Sequence, residues 1–417
     1  MNLKKHNKKS PVSVRISSAN QSQTPAIEGG KPVRAKNNFL VFGAPLIGKS
    51  EIAEAVRCLK SSWIGTGPRV NRFEKDFAAY KGSPFAVALN SCTAALHLSM
   101  LASGLGPGDE VITTPLTFCA TVNAIIHAGA TPVLADCDPQ NLNVLPSEIE
   151  KKVTPKTKAI VVVHFAGRAC DMHSILSIAQ KHQLTVIEDC AHAIETEYHG
   201  QKTGRMGHFG CFSFYVTKNI ITGEGGMVIS SDEERISRIK VLALHGMTKD
   251  AWKRFSDEGY KHYQVVAAGF KYNMMDLQAS LGICQLKKIE SYWKKRRRIW
   301  QRYSQAFADL PCILPSAPEK NTRHAYHLFT PLIDTDRLKK SRDWVLSALT
   351  AENIGVGVHY IPLHLHPYYQ KAFGWKPGMF PNAEWVGERI ISLPLSPALS
   401  EGDIQDVIMA FQKVLRS

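Results

Sequence analysis

From about residue 80 onward the chain alternates short apolar runs with helical patterns. Phe85 to Asn90, Glu110 to Thr114, Thr131 to Cys137, Ala159 to Phe165 and Leu184 to Cys190 read as strands, being brief, apolar and rich in β-branched side chains. Gly210 to Val216 and Gly226 to Ser230 add two more. Between them, Thr93 to Leu105 has helical spacing and stops at Gly106, Phe118 to Ala128 stops at Gly129, and Met172 to His182 is amphipathic. This βαβα alternation predicts an α/β fold, a mostly parallel sheet covered by helices on both faces. From Met274 to about Leu310 the helical pattern continues without proline, with Gly282 as its one weak point, and predicts a bridge from a large domain into a smaller one.

Domain limits follow from the same pattern. Residues 1–25 are Lys, Ser, Asn and Gln with few apolar anchors and read as a disordered basic tail. Residues 26–295 form the large domain with its lead-in segment, and 296–417 a smaller C-terminal α/β domain.

Composition narrows the classes. The 417 residues are 44% hydrophobic, enough for a sizeable core, and no apolar run reaches the roughly 18 residues of a membrane span. The first residues lack the apolar stretch of a secretory signal, and the nine cysteines are scattered without any C-x-x-C pair. Both features point to reduced thiols, a cytoplasmic home and no metal site. The net charge of +15 invites a nucleic-acid reading, but residues 1–36 hold eight of the basic residues and one Glu, and no nucleic-acid motif is present. A basic surface also attracts an anionic diphosphate.

Four places at predicted strand ends carry chemistry. Lys218 follows a strand and precedes the turn Thr222-Gly223-Glu224-Gly225-Gly226; alone it reads more readily as a surface lysine than as a cleft lysine. Asp189 ends an apolar strand, where ligands of open α/β sheets sit, or else caps it. Ser91, Cys92 and Thr93 open a helix, whose amides and Thr hydroxyl suit a phosphate, although Ser91 also serves as a plain N-cap. Phe118 begins the next helix and is either a flat face for a ring or core. Together they meet the demands of pyridoxal 5'-phosphate (PLP): a Schiff-base lysine, a carboxylate for the pyridine nitrogen, a phosphate cup and a stacking partner.

The order of these groups, with the blocks SSWIGTGPRVNRFE (61–74), LNSCTAALHL (89–98), TFCATVNAI (117–125), IEDCAHA (187–193), FSFYVTKN (212–219), GFKYNMMDLQASLGICQL (269–286) and VHYIPLHLHPYY (358–369), resembles the DegT/DnrJ/EryC1/StrS family of sugar aminotransferases, from about Ala26 to the C-terminus. The resemblance implies a fold-type I PLP-dependent transferase. It implies that Lys218 carries the cofactor, Asp189 pairs with the pyridinium, Cys92, Thr93 and Ser213 face the phosphate, Phe118 stacks on the ring and His192 lies near the phenolic oxygen. Asn273 matches a residue that reaches the neighbouring subunit's phosphate, so a homodimer with shared active sites is implied. A related dehydratase branch has histidine where this chain has Lys218, which argues for transamination. The resemblance further implies glutamate as amino donor and a nucleotide-linked keto-sugar as acceptor. Members that aminate C4 of a UDP- or dTDP-linked 4-keto-6-deoxy sugar are the nearer match, with C3 the alternative. Cys92 replaces a common glycine, and Arg168 stands where relatives often carry a neutral residue.

Two other functions compete. Gly43-Ala44-Pro45-Leu46-Ile47-Gly48-Lys49-Ser50 fits the phosphate-loop pattern of a nucleotide hydrolase literally, although Pro45 and bulky neighbours crowd it. A non-catalytic PLP-binding regulator on the same fold is the other. His359, His364 and His366 alternate in a Pro-bounded segment that suits sugar contact or packing better than a metal.

Overall fold

The computed structural model describes residues 24–248 and 263–417; the predicted disordered tail lies, up to residue 23, outside the described residues. In chain order the strands are β1 (Phe85–Leu89), β2 (Glu110–Thr113), β3 (Thr131–Leu134), β4 (Thr157–Val163) and β5 (Thr185–Asp189). A short hairpin of β6 (Glu197–Tyr198) and β7 (Gln201–Lys202) follows, then β8 (Phe209–Ser213) and β9 (Gly226–Ser230). Seven of them form one sheet, in the order β1-β9-β8-β5-β4-β2-β3. β9 runs antiparallel to both neighbours and the remaining pairs are parallel. Every residue of β8 and β9 is buried, as a sheet covered on both faces requires.

The helices of this part are α1 (Lys49–Lys60), α2 (Pro68–Lys81), α3 (Cys92–Ala102), α4 (Cys119–His127), α5 (Pro146–Lys152), α6 (Met172–His182), α7 (Glu233–Ala243) and α8 (Asp276–Leu286). α3 is apolar all round, and most of it is buried. Strands end earlier than their apolar runs do, because the last apolar residues leave the ladder to build loops over the carboxyl edge. After β4, for example, Phe165–Gly167 turns sharply with Ala166 at φ 54°.

The expected long bridge is two helices, α8 and α9 (Ile289–Ala306), broken at Lys287 and Lys288 rather than at Gly282. Gly282 serves packing: a Cβ there would lie 2.6 Å from the Phe73 ring of α2. The break falls where Lys288 and Gln285 both turn to the buried Glu51 of α1, at 2.7 and 2.9 Å.

The C-terminal part carries β10 (Cys312–Ile313), β11 (Thr322–Arg323), β12 (Leu332–Ile333), α10 (Thr335–Leu338), α11 (Arg342–Ala351), α12 (Pro367–Phe373), α13 (Pro381–Gly387) and α14 (Glu401–Leu415). Its own core gathers Tyr303, Phe307, Phe329, Val345 and Phe411. Leu40 of the lead-in segment packs into that core, bonding Asn353 and Gly355 at 2.9 and 2.8 Å. Arg34 meets Asp403 and Asp406 of α14 at 2.8 and 2.6 Å. No described helix is long and apolar enough to cross a membrane.

Candidate active site

At the carboxyl edge of the sheet lies an open cleft with about 1420 Å³ of atom-free space. Cys92, Thr93, Phe118, Asp189, His192, Ser213 and Lys218 all line it. Each lies at the end of a strand, as Asp189 and Ser213 do, or in the connection that follows one. Ser91 caps α3 by accepting the Ala94 amide at 3.1 Å, and the first-turn amides of Cys92 and Thr93 have no intrahelical acceptor. Gly226 of β9 presses against this turn so closely that a Cβ would sit 2.3 Å from the Ser91 carbonyl. Lys218 rides on a closed loop after β8, whose ends are tied by Phe214 to Gly225 and Thr222 to Phe214, both at 2.9 Å. Ser213 is buried, and Phe118 stands at the rim, 59% exposed.

Asp189 is buried on β5. Its Oδ1 accepts the Ala191 amide at 3.1 Å and its Oδ2 the Thr121 hydroxyl at 2.9 Å. Desolvation raises its pKa nonetheless; those hydrogen bonds and the Lys218 charge offset only part of the shift. Desolvation also lowers Lys218, to about 8, against the pull of Cys92 and Asp189. A buried carboxylate and a lysine tuned toward its neutral form therefore share one cleft.

A wall of rings closes the cleft's other side. His192 stacks on His327 at 4.4 Å between centroids and bonds the Tyr360 hydroxyl at 3.2 Å. His359 bonds Ser392 at 2.7 Å. Burial and the nearby Lys218 charge lower all three imidazoles, His359 to about 3. The sequence pattern assigned His359 to sugar contact or packing, gave Tyr360 no role, and did not single out His327 or Asn219. The available signals were a histidine inside the apolar run Ala325 to Phe329 and an amide directly after the lysine.

Asn273 is not brought to this cleft. It lines a separate pocket with Thr66, Val87 and Lys240, donates to Thr66 at 2.6 Å, and its buried Oδ1 finds no partner among the described residues. Arg168 is a clamp: its guanidinium bonds the carbonyls of Ser316 and Ala317 and the Glu319 carboxylate, pinning the 316–319 segment. In the phosphate-loop look-alike, the Gly48 amide and the Ser50 hydroxyl both donate to Glu51 Oε2 at 3.0 Å, and Lys49 is exposed. The chain's own carboxylate thus takes the donors an anion would need. His364 pairs with Glu384 and His366 with the Ile361 carbonyl, so these two diverge from His359. Among the described residues His164, Glu188 and Cys190 have metal-like spacing. Glu188, however, already accepts from His164, Gly204, Met206 and Gly207, which leaves no lone pair directed at an ion.

The cleft's donor set suits PLP: an amine, a buried carboxylate still seeking a cationic N–H, free helix-start amides beside hydroxyls, and an aromatic face. With the mostly parallel sheet, it defines the class as a fold-type I PLP-dependent aminotransferase. The chain belongs to the DegT/DnrJ/EryC1/StrS aminotransferase family, whose sequence profile matches residues 45–412. It is 50% identical over 385 residues to the spore coat polysaccharide biosynthesis protein SpsC of Bacillus subtilis, covering 92% of this chain and 99% of SpsC. Among solved structures, Spr1654 of Streptococcus pneumoniae in its PLP form superimposes with a TM-score of 0.85 at 32% identity, over 91% of this chain and 99% of that one. Helicobacter pylori PseC, an aminotransferase involved in the biosynthesis of pseudoaminic acid, gives 0.84 at 29% identity, over 91% of this chain and all of PseC. The protein is a PLP-dependent sugar aminotransferase.

Proposed function

We propose that the enzyme moves an amino group from glutamate to C4 of a UDP- or dTDP-linked 4-keto-6-deoxy sugar, in the cytoplasm, with Lys218 as the cofactor-bearing lysine. The observation that carries the site assignment is the meeting of Lys218, Asp189 and the α3 start in one cleft. In this reading Asp189 holds the pyridine N–H, Cys92, Thr93 and Ser213 hold the phosphate, Phe118 covers the ring and His192 stands near the phenolic oxygen. When bound, the cofactor supplies the electron sink and carries the amino group between the two substrates. Lys218 Nζ, held at about 8, takes the proton from the donor's Cα and in the second half returns one to the sugar carbon that receives nitrogen. The sugar assignment rests on sequence resemblance and on PseC's part in pseudoaminic acid biosynthesis. The cleft's size and the +15 charge are compatible with an anionic nucleotide sugar.

A homodimer with Asn273 reaching the partner's phosphate completes the reading. α1 exposes the apolar stripe Ile52, Val56 and Leu59, continued by Trp63, Ile64 and Met275. That stripe runs to the Asn273 loop, where Asp276 N bonds the Gly65 carbonyl at 2.8 Å.

The test is an absorbance spectrum with and without glutamate, beside Lys218→Ala. The wild type should show the visible band of lysine-bound cofactor, fading with glutamate as a near-ultraviolet band rises. Lys218→Ala should lack the visible band. Wild-type enzyme reconstituted with PLP but lacking that band sinks the assignment. Product NMR with nitrogen on C3 removes the C4 claim.

A further inference from the structure

Behind Lys218 lies a polar cluster that the chemistry described so far does not use. Asn219 is 6% exposed, His327 5%, Arg296 2%, and Glu195 fully buried. Arg296 of α9 pairs with Glu195 Oε1. Glu195 Oε2 accepts from Asn219 Nδ2 at 2.7 Å, and the same amide nitrogen reaches the Ala325 carbonyl at 3.4 Å. Asn219 Oδ1 lies 2.9 Å from His327 Nδ1.

The proton positions follow from donor chemistry. A carboxylate and a carbonyl only accept, so both partners of Asn219 Nδ2 demand N–H, and the amide orientation is forced. Oδ1 therefore faces His327, and an amide oxygen cannot donate. Nδ1 of His327 must carry the proton. Burial keeps the ring neutral, so Nε2 is left with a lone pair. The next ring obeys the same logic in reverse. His192 Nδ1 accepts the Ala166 amide at 3.3 Å, so its proton sits on Nε2 and is donated to the Tyr360 oxygen. Two stacked neutral imidazoles thus hold opposite tautomers, and the charge that acts most strongly on each is Lys218.

We propose that Glu195, anchored by Arg296, acts through Asn219 to lock His327 in its Nδ1–H tautomer, making His327 and Asn219 positioning residues that hold the backbone from which the adjacent Lys218 projects. The tautomer half stands on hydrogen-bond geometry alone; the functional half rests on Lys218 as the reacting lysine. An amine that is displaced and must then carry a proton needs a fixed backbone to return to. A neutral ring anchors that backbone through Asn219 without adding positive charge near the amine.

The test uses full-chain, cofactor-free enzyme labelled with ¹⁵N-histidine, in which long-range ¹H–¹⁵N correlations report each ring's tautomer and His327→Gln assigns the signal. Wild type should show His327 protonated at Nδ1. Glu195→Gln should turn its single oxygen to Arg296 and its NH2 to Asn219, flip that amide, and convert His327 to Nε2–H. Asn219→Leu should leave a mixture of tautomers. With cofactor bound, Glu195→Gln should lower kcat by about 10²-fold while the glutamate KM stays nearly constant. His327 protonated at Nε2 in the wild type, or a tautomer unchanged in both variants, overturns the relay. Unchanged kcat with a flipped tautomer overturns its link to Lys218. A Lys218→Ala variant that keeps the visible band refutes the lysine assignment instead, a failure distinct from both.

Discussion

Thr121 Oγ1 donates a 2.9 Å hydrogen bond to Asp189 Oδ2, tying α4 to the end of β5 at the floor of the cleft. Thr117 Oγ1 lies 2.9 Å from the same hydroxyl, so the Thr121 proton is free to face the carboxylate. This bond is one of four influences, with the Ala191 amide, Lys218 and His164, that keep a desolvated Asp189 from rising further toward neutrality. In the proposed role Asp189 has to be ionised to hold a ring N–H, and Thr121 would then act on the cofactor through Asp189.

Thr121→Val tests that role with little change of volume. A hydrogen bond to a charged group contributes about 1.5–3 kcal/mol, so the variant should weaken PLP binding by about tenfold or more. The pKa of Asp189 should move up, since one group favouring its ionised form is gone. The cofactor dissociation constant, followed by fluorescence quenching, and kcat at saturating PLP are the readouts. Unchanged values for both would mean that Ala191 alone is enough.

The lysine makes a pH-dependent prediction for cofactor-free enzyme. The folded pKa of Lys218 is about 8, whereas an unfolded lysine titrates at about 10.4. Between these values the unfolded chain holds more protons, so this group makes stability rise with pH. Below pH 8 both states are protonated and the cost of burying the ammonium is felt in full. Lys218→Met should then stabilise the protein at pH 7 by about 1–3 kcal/mol, a gain that fades as pH approaches 10. Urea unfolding of both proteins at the two pH values measures it. A gain independent of pH would show that packing, not the charge, is responsible.

The carboxyl edge of the sheet was legible in the sequence because apolar runs stop within a few residues of the strand ends, and Asp189, Thr93 and Phe118 lie at or just past those ends. Lys218 was weak by spacing alone and strong only in the order it shares with the family blocks. What stayed hidden depends on contacts far apart in sequence. Asn219 meets Glu195 and His327 across 24 and 108 residues, and no local pattern encodes that. The break between α8 and α9 escaped for the same reason, since it is set by Glu51, more than 230 residues upstream. Arg168 looked out of place as a charge and is explained by the carbonyls it clamps.

The phosphate-loop look-alike gives opposite expectations for neighbouring residues. Lys49 is exposed, and Lys49→Ala should leave both activity and stability within about 0.5 kcal/mol of wild type. Glu51 is fully buried, paired to Lys288 and held by the Gly48 amide, Ser50 and Gln285. Glu51→Ala strips the Gly48 amide and the Lys288 ammonium of their carboxylate, while Lys288 keeps the Ser50 hydroxyl and Gln285 the Leu46 carbonyl, and should cost about 1–3 kcal/mol. Denaturant midpoints and turnover of the two variants decide the matter. Loss of turnover in Lys49→Ala, with PLP still bound, would revive the nucleotide-hydrolase reading.

The proposed dimer yields the last prediction, because it divides one active site between two chains. Val56 lies in the middle of the exposed stripe on α1, and Val56→Glu should convert a dimer into a monomer by sedimentation while retaining helical circular dichroism. Sharing of the site needs a separate test. Lys218→Ala removes the reacting amine, and Asn273→Ala removes the arm that would cross to the partner; each pure variant should be nearly inactive. Mixed subunits should regain activity, because one of the two sites in a heterodimer then combines an intact Lys218 with an intact Asn273. Random pairing by a two-fold axis makes half the dimers mixed, so recovery should approach about a quarter of wild type. If the mixture stays inactive although exchange of subunits is verified by mass, Asn273 works within its own chain, and its 2.6 Å bond to Thr66 would be a structural contact only.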